Sequence, residues 1–182
     1  KGDTQPVFGV GFHRPSITHS DDPALTVLSR VLGQGRTSRL YKRLVKTDKS
    51  ALFAGAFSGF PGQKYPSLLL VFSLPNSGHT PAEMEEATWE EVAKLRDELI
   101  SQEELDRVKT EVRAEFIRGI GNNSGLAGQL AAYETLNGGW ETMFDQVAQI
   151  ESVTREDVQA MAQKYMTRAN ATVGYMVTED KD

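Results

Sequence analysis

The chain has 182 residues, 39% of them hydrophobic and 25% charged, with a formal net charge of −5 and no cysteine. A globular chain of this size buries about 70% of its unfolded surface without staples. The composition excludes disulfide frameworks, thiolate zinc sites and cysteine nucleophiles. No apolar run approaches the ~20 residues of a membrane span; the longest, Leu68 to Phe72, has the length of a strand. The opening Lys1-Gly2-Asp3-Thr4 has neither an initiator methionine nor a signal peptide and reads as part of a longer polypeptide.

Val7 to His13 alternates Phe8, Val10 and Phe12 with Val7, Gly9, Gly11 and His13, which is strand periodicity. Its glycine-thinned face suits close approach of another backbone or a packed helix. Asp22-Pro23 then predicts a helix start, with Asp22 as N-cap and proline in the first helical position. Leu25, Leu28, Val31 and Leu32 form its apolar stripe, and Gly33 or Gly35 ends it. A second helix, about Thr37 to Lys46, is expected to bury Leu40, Tyr41, Leu44 and Val45 and to expose its bases.

Ala51 to Phe60 and Ser67 to Leu74, joined by a turn-rich loop, predict an antiparallel hairpin. Small residues on its first strand imply something packed closely against it. Thr80-Pro81-Ala82-Glu83 and Ser101-Gln102-Glu103-Glu104 read as capping boxes. The first opens a helix carrying Met84, Thr88, Val92, Leu95 and Leu99; the second opens one through about Ile117. Further helices are expected from Asn123 (with Leu126, Leu130 and Tyr133), from Trp140 to Ile150 and from Thr154 to Tyr165. Ala171 to Val177 reads as a closing strand. The order βααββ, then helices, then β predicts an α+β fold, a mixed or antiparallel sheet of about four or more strands with helices on one face.

Charge is distributed unevenly. Six bases lie between Arg36 and Lys49 against Asp48, while twelve acids face five bases from Glu83 to Glu115. Without aromatics interleaved through the bases beyond the single Tyr41, the first run has little to offer a nucleic acid, and a solvated helix face is the plainer reading. The histidines His13, His19 and His79 lie on different elements, and neither H-E-x-x-H nor H-x-x-E-H occurs. No G-x-S-x-G, phosphate loop or dinucleotide fingerprint is present, and Gly33-Gln34-Gly35 joins helix to helix. Catalytic residues, metal ligands and a cofactor are therefore expected to be absent from this chain.

The run Leu32-Gly33-Gln34-Gly35-Arg36-Thr37-Ser38-Arg39-Leu40-Tyr41-Lys42-Arg43-Leu44-Val45, the helix start Glu103-Glu104-Leu105-Asp106-Arg107-Val108-Lys109 and the segment Ile150 to Val158 together resemble the pitrilysin (insulinase-like) zinc metallopeptidase family. The likeness runs from about residue 7 to 177 and is to the family's second, non-zinc domain. It implies that residues 1–182 form one such domain of a longer protein. Zinc is then bound by H-x-x-E-H and a distant glutamate in a homologous partner domain. It further implies a clam-shell of two halves around a chamber, where an unfolded peptide adds as a strand to a sheet edge. Some second domains place an arginine and, seven residues on, a tyrosine that grip the substrate backbone. The matching positions here hold Val45 and Leu52, which cannot donate hydrogen bonds. That fits a non-catalytic domain of the zinc-bearing half, and equally a degenerate member serving as an interaction subunit.

Overall fold

The computed structural model describes residues 5–177; Lys1 to Thr4 lie outside the described residues. Four strands, β1 (Val7–Arg14), β2 (Ala51–Phe60), β3 (Ser67–Pro75) and β4 (Ala171–Met176), form one antiparallel sheet in the order β2-β3-β1-β4. The fold is α+β. Phe8, Val10 and Phe12 of β1 share their face with Leu69 and Val71 of β3 and Ala54 and Ala56 of β2, all buried. On that face lie the helices α1 (Asp22–Gly33), α2 (Pro81–Asp97) and α6 (Arg155–Tyr165). α3 (Gln102–Ile120) and α5 (Thr142–Ser152) pack on α1, and α4 (Asn123–Leu136) packs outermost, against α3 and α5.

The closeness implied by the small residues of β2 is real, and its source is Gly33. A Cβ at Gly33 would stand 2.2 Å from the Ala56 nitrogen and 2.7 Å from the Gly55 carbonyl carbon. The last turn of α1 thus rests on the backbone of β2. Gly35, two residues on, has φ +80° and makes the turn. The expected division of labour is therefore refined: Gly33 is the final helical residue, and Gly35 reverses the chain.

Asp22 is not the N-cap. Asp21 holds that position without a side-chain cap, and Asp22 is already helical and buried. Its carboxylate accepts a hydrogen bond from Arg14, whose side chain is only 1% exposed and which also donates to Ser58 and to the Pro15 carbonyl. A residue suited to capping is used instead to pin β1, β2 and α1 together.

The second helix also differs from expectation. Tyr41–Thr47 is a π-helical turn, closed by an Asp48 N–H donating to the Arg43 carbonyl at 2.8 Å. Leu40 and Leu44 are buried, whereas Tyr41 and Val45 are half-buried. The wider turn moves the apolar side chains out of the strict α-helical stripe.

Capping at Ser101 and Thr154 follows the reciprocal pattern, with Glu104 and Asp157 as the returning carboxylates. At Thr80 only half of the box forms: Thr80 accepts from the Glu83 N–H, while the Glu83 carboxylate accepts from the Thr80 hydroxyl and meets His79 Nδ1. Met84, Thr88, Val92 and Leu95 are buried as the periodicity of α2 requires, but Leu99 lies past the helix end and is 40% exposed. α5 begins at Thr142, leaving Trp140 outside it, and α4 buries none of its residues, Leu126, Leu130 and Tyr133 included.

Candidate functional site: an uncovered sheet face

The side chains that alternate with the core positions form the sheet's other face. From β3 it receives Leu68, Leu70, Phe72 and Leu74. The register sets Phe53, Gly55 and Phe57 of β2 on one side of them and Gly9 and Gly11 of β1 on the other. Beyond β1, Gly174 of β4 lies directly opposite Gly9. Phe53 and Phe57 both stack on Phe72, with ring centroids 4.9 and 5.5 Å apart. The result is an aromatic ridge beside a lane without Cβ atoms.

No described helix covers this face. Phe53, Phe57, Phe60 and Met176 are 38, 45, 49 and 48% exposed, and a Cβ at Gly174 would meet nothing within 4 Å. A contiguous apolar surface of this kind marks an interface rather than a solvated wall. The expectation of close packing against the glycine face of β1 is therefore localised: the helices of this chain use the opposite face.

Two arginines of the basic segment are paired with acids of the helices. Arg39 donates to both Glu104 oxygens at 2.8 and 2.9 Å, and Arg43 pairs with Asp48, Glu90 and the buried Glu91. Both arginines are half-buried, contrary to a helix that simply exposes its bases; Arg36, Lys42, Lys46 and Lys49 remain exposed. Burial alone pushes the Glu104 carboxyl up, but Arg39 and the Ser101 N–H outweigh it and hold the pKa at about 2 against an ordinary 4.5. The folded value is the lower one, so this stabilisation is complete above about pH 4.5 and is lost as pH falls toward 2. Screening at a side chain still one-fifth exposed reduces it to about 1–2 kcal/mol. Thermal unfolding of wild type and Arg39→Met should differ by that amount at neutral pH and converge only as pH approaches about 2.

His13 lies on β1, His19 precedes α1 and His79 precedes α2, so the fold leaves the three histidines on separate elements. Among the described residues no group of three or more His, Cys, Asp or Glu could hold a metal ion. A cleft of about 540 Å³ beside the start of α1 is lined by Asp21, Asp22 and Asp157. All three are already committed: Asp21 to Lys164 and Tyr165, Asp22 to Arg14, and Asp157 to the Thr154 cap. Zinc does not fit these donor sets. Val45 sits half-buried in the π-helical turn and Leu52 lies on β2, 58% exposed. No described helix is long and apolar enough to cross a membrane.

Residues 1–112 match the family model of the peptidase M16 inactive domain. The chain belongs to that family. The inactive domain is 30% identical over 171 residues to the zinc protease PqqE of Helicobacter pylori, a match covering 92% of this chain and 37% of that protein. A protease from H. pylori superposes with a TM-score of 0.88 at 25% identity, over 96% of this chain and 42% of that one. The inactive peptidase domain from Bordetella parapertussis shares the fold with a TM-score of 0.79 at 23% identity, covering 99% of this chain and 96% of the other. The chain thus spans about two fifths of the H. pylori relatives it matches.

Proposed function

We propose that this is the non-catalytic domain of a zinc-dependent metalloendopeptidase, forming one unit over residues 1–182. It packs its uncovered sheet face on the zinc-bearing domain and helps to wall the chamber that admits unfolded peptides. The observation that carries this reading is the uncovered aromatic and glycine face. The first and last strands pair side by side, with Val7 opposite Met176. Membership of an inactive-domain family whose relatives include zinc proteases agrees with the assignment, as do the apolar Val45 and Leu52 where a substrate-gripping domain needs donors.

Mixing the chain with the separately expressed zinc-bearing domain tests the reading. The chain alone with zinc should cleave no peptide, and the mixture should form a complex that does. Phe57→Lys and Met176→Lys, both at exposed positions, should weaken the complex by about tenfold or more. Turnover by the isolated chain would overturn the proposal, and so would complex formation indifferent to both substitutions. A complex that binds normally without activity would replace the peptidase role by that of an interaction subunit.

A further inference from the structure

The turn that follows α4 carries chemistry of its own. Asn137 is the chain's only asparagine followed by glycine. Its backbone N–H donates to the Tyr133 carbonyl at 2.9 Å and closes the helix, but its side-chain amide bonds to no described residue. The residue lines the cleft beside the start of α1.

Gly138 offers a nucleophile to that amide. Its N–H donates to no described acceptor, its φ is +84°, and a Cβ there would meet nothing within 4 Å. Asn137 has ψ 0°, so the Gly138 nitrogen must swing toward the side-chain carbonyl carbon. Gly138 and Gly139 in succession permit that rotation. The first fixed point beyond them is the Trp140 N–H, which donates to Glu134 at 3.0 Å.

The other asparagines are held. Asn76 accepts from the Ser77 N–H and donates to the Lys49 carbonyl. Asn122 accepts from the Gly125 N–H, and Asn170 donates to the His13 and Tyr165 carbonyls. Asn123 stands in the first turn of α4, where helical backbone keeps the next amide away from its side chain.

We infer that Asn137–Gly138 is a site of spontaneous deamidation whose product loosens α4. The Gly138 nitrogen, losing its proton to water or hydroxide, bonds to the Asn137 side-chain carbonyl carbon, and ammonia leaves. Water then opens the cyclic imide at either carbonyl. The products are aspartate and isoaspartate, the latter with one methylene added to the main chain. Either sets a carboxylate at the C-terminal end of α4, where the helix dipole opposes it and no base in the last turn offsets it. α4 buries none of its residues, so little packing resists the loss.

Incubating the chain at mildly alkaline pH and mapping its peptides by mass tests the site. The peptide holding residue 137 should gain the mass of an amide-to-acid exchange and separate into two forms of equal mass. It should do so about tenfold or more faster than any other asparagine converts, and within about tenfold of its own rate in urea. Asn137→Gln, which would have to close a larger ring, should remove the change. Asn137→Asp should lower the hydrogen-exchange protection of the α4 amides by about twofold to fivefold. An Asn137 that stays intact, or that converts in the native chain far more slowly than in urea, overturns the site. Unchanged α4 protection in Asn137→Asp overturns the consequence drawn for the helix.

Discussion

Gly33→Ala should cost about 3 kcal/mol or more, lowering the melting temperature by roughly 6–12 °C for a chain of this length. The added methyl meets the Ala56 nitrogen at 2.2 Å and the Ala56 Cβ at 2.6 Å, and the first of these is backbone that no rotamer change can move. Relief requires α1 to lift from β2, which opens the packing of Val31 and Leu32 as well. Gly35→Ala provides the contrast. Its Cβ would meet nothing within 4 Å, so only the left-handed φ of +80° resists it, at about 1 kcal/mol. If calorimetry ranked Gly35→Ala as the more damaging, the account of the two glycines would be reversed.

Asp22→Ala should cost about 3–5 kcal/mol, because it strands the Arg14 guanidinium, 1% exposed, between β1, β2 and α1. The native pair is not itself a source of much stability. Burial pushes the Asp22 carboxyl up from its ordinary value, and the opposing pull of Arg14 does not cancel that effect. Replacing both partners, as Arg14→Met with Asp22→Leu, should therefore recover most of the loss. Urea unfolding of the two single variants and the double variant measures this directly. A double variant no more stable than Asp22→Ala would show that Arg14 acts chiefly through Ser58 and the Pro15 carbonyl.

Local chemistry was the most legible part of the fold. Ser101 with Glu104 and Thr154 with Asp157 satisfy helix ends within four residues, so spacing alone reveals them. The alternation of Phe8, Val10 and Phe12 likewise identifies the buried face of β1. Legibility failed where a residue's partner is distant. Nothing beside Asp22 announces Arg14 across the fold, and the bases of the second helix look free until Glu90, Glu91 and Glu104 arrive from α2 and α3. The π-helical turn was hidden for another reason: Leu40 and Leu44 keep the i, i+4 spacing of an ordinary α-helix, and only the partial exposure of Tyr41 and Val45 betrays the wider turn.

The candidate surface was half visible. Glycines at 9 and 11 signalled close approach, but Leu68 to Phe72 is apolar on both faces and reads as a strand buried on both. In the fold only Leu69 and Val71 lie in the core, while Leu68, Leu70 and Phe72 face outward. An interface face and a core face have the same composition. Telling them apart required knowing where the helices stop.

The pairing of β1 with β4 also governs the order in which this domain can assemble. Phe8 and Tyr175, in contact across the sheet, are separated by nearly the whole chain. β1 can join β3 and the hairpin early, but one side of β1 stays unpaired until the final strand leaves the ribosome. Closing so long a loop is slow, and an open strand edge invites misassociation in the meantime. The sheet is thus completed by its longest-range pairing, that of β4 with β1.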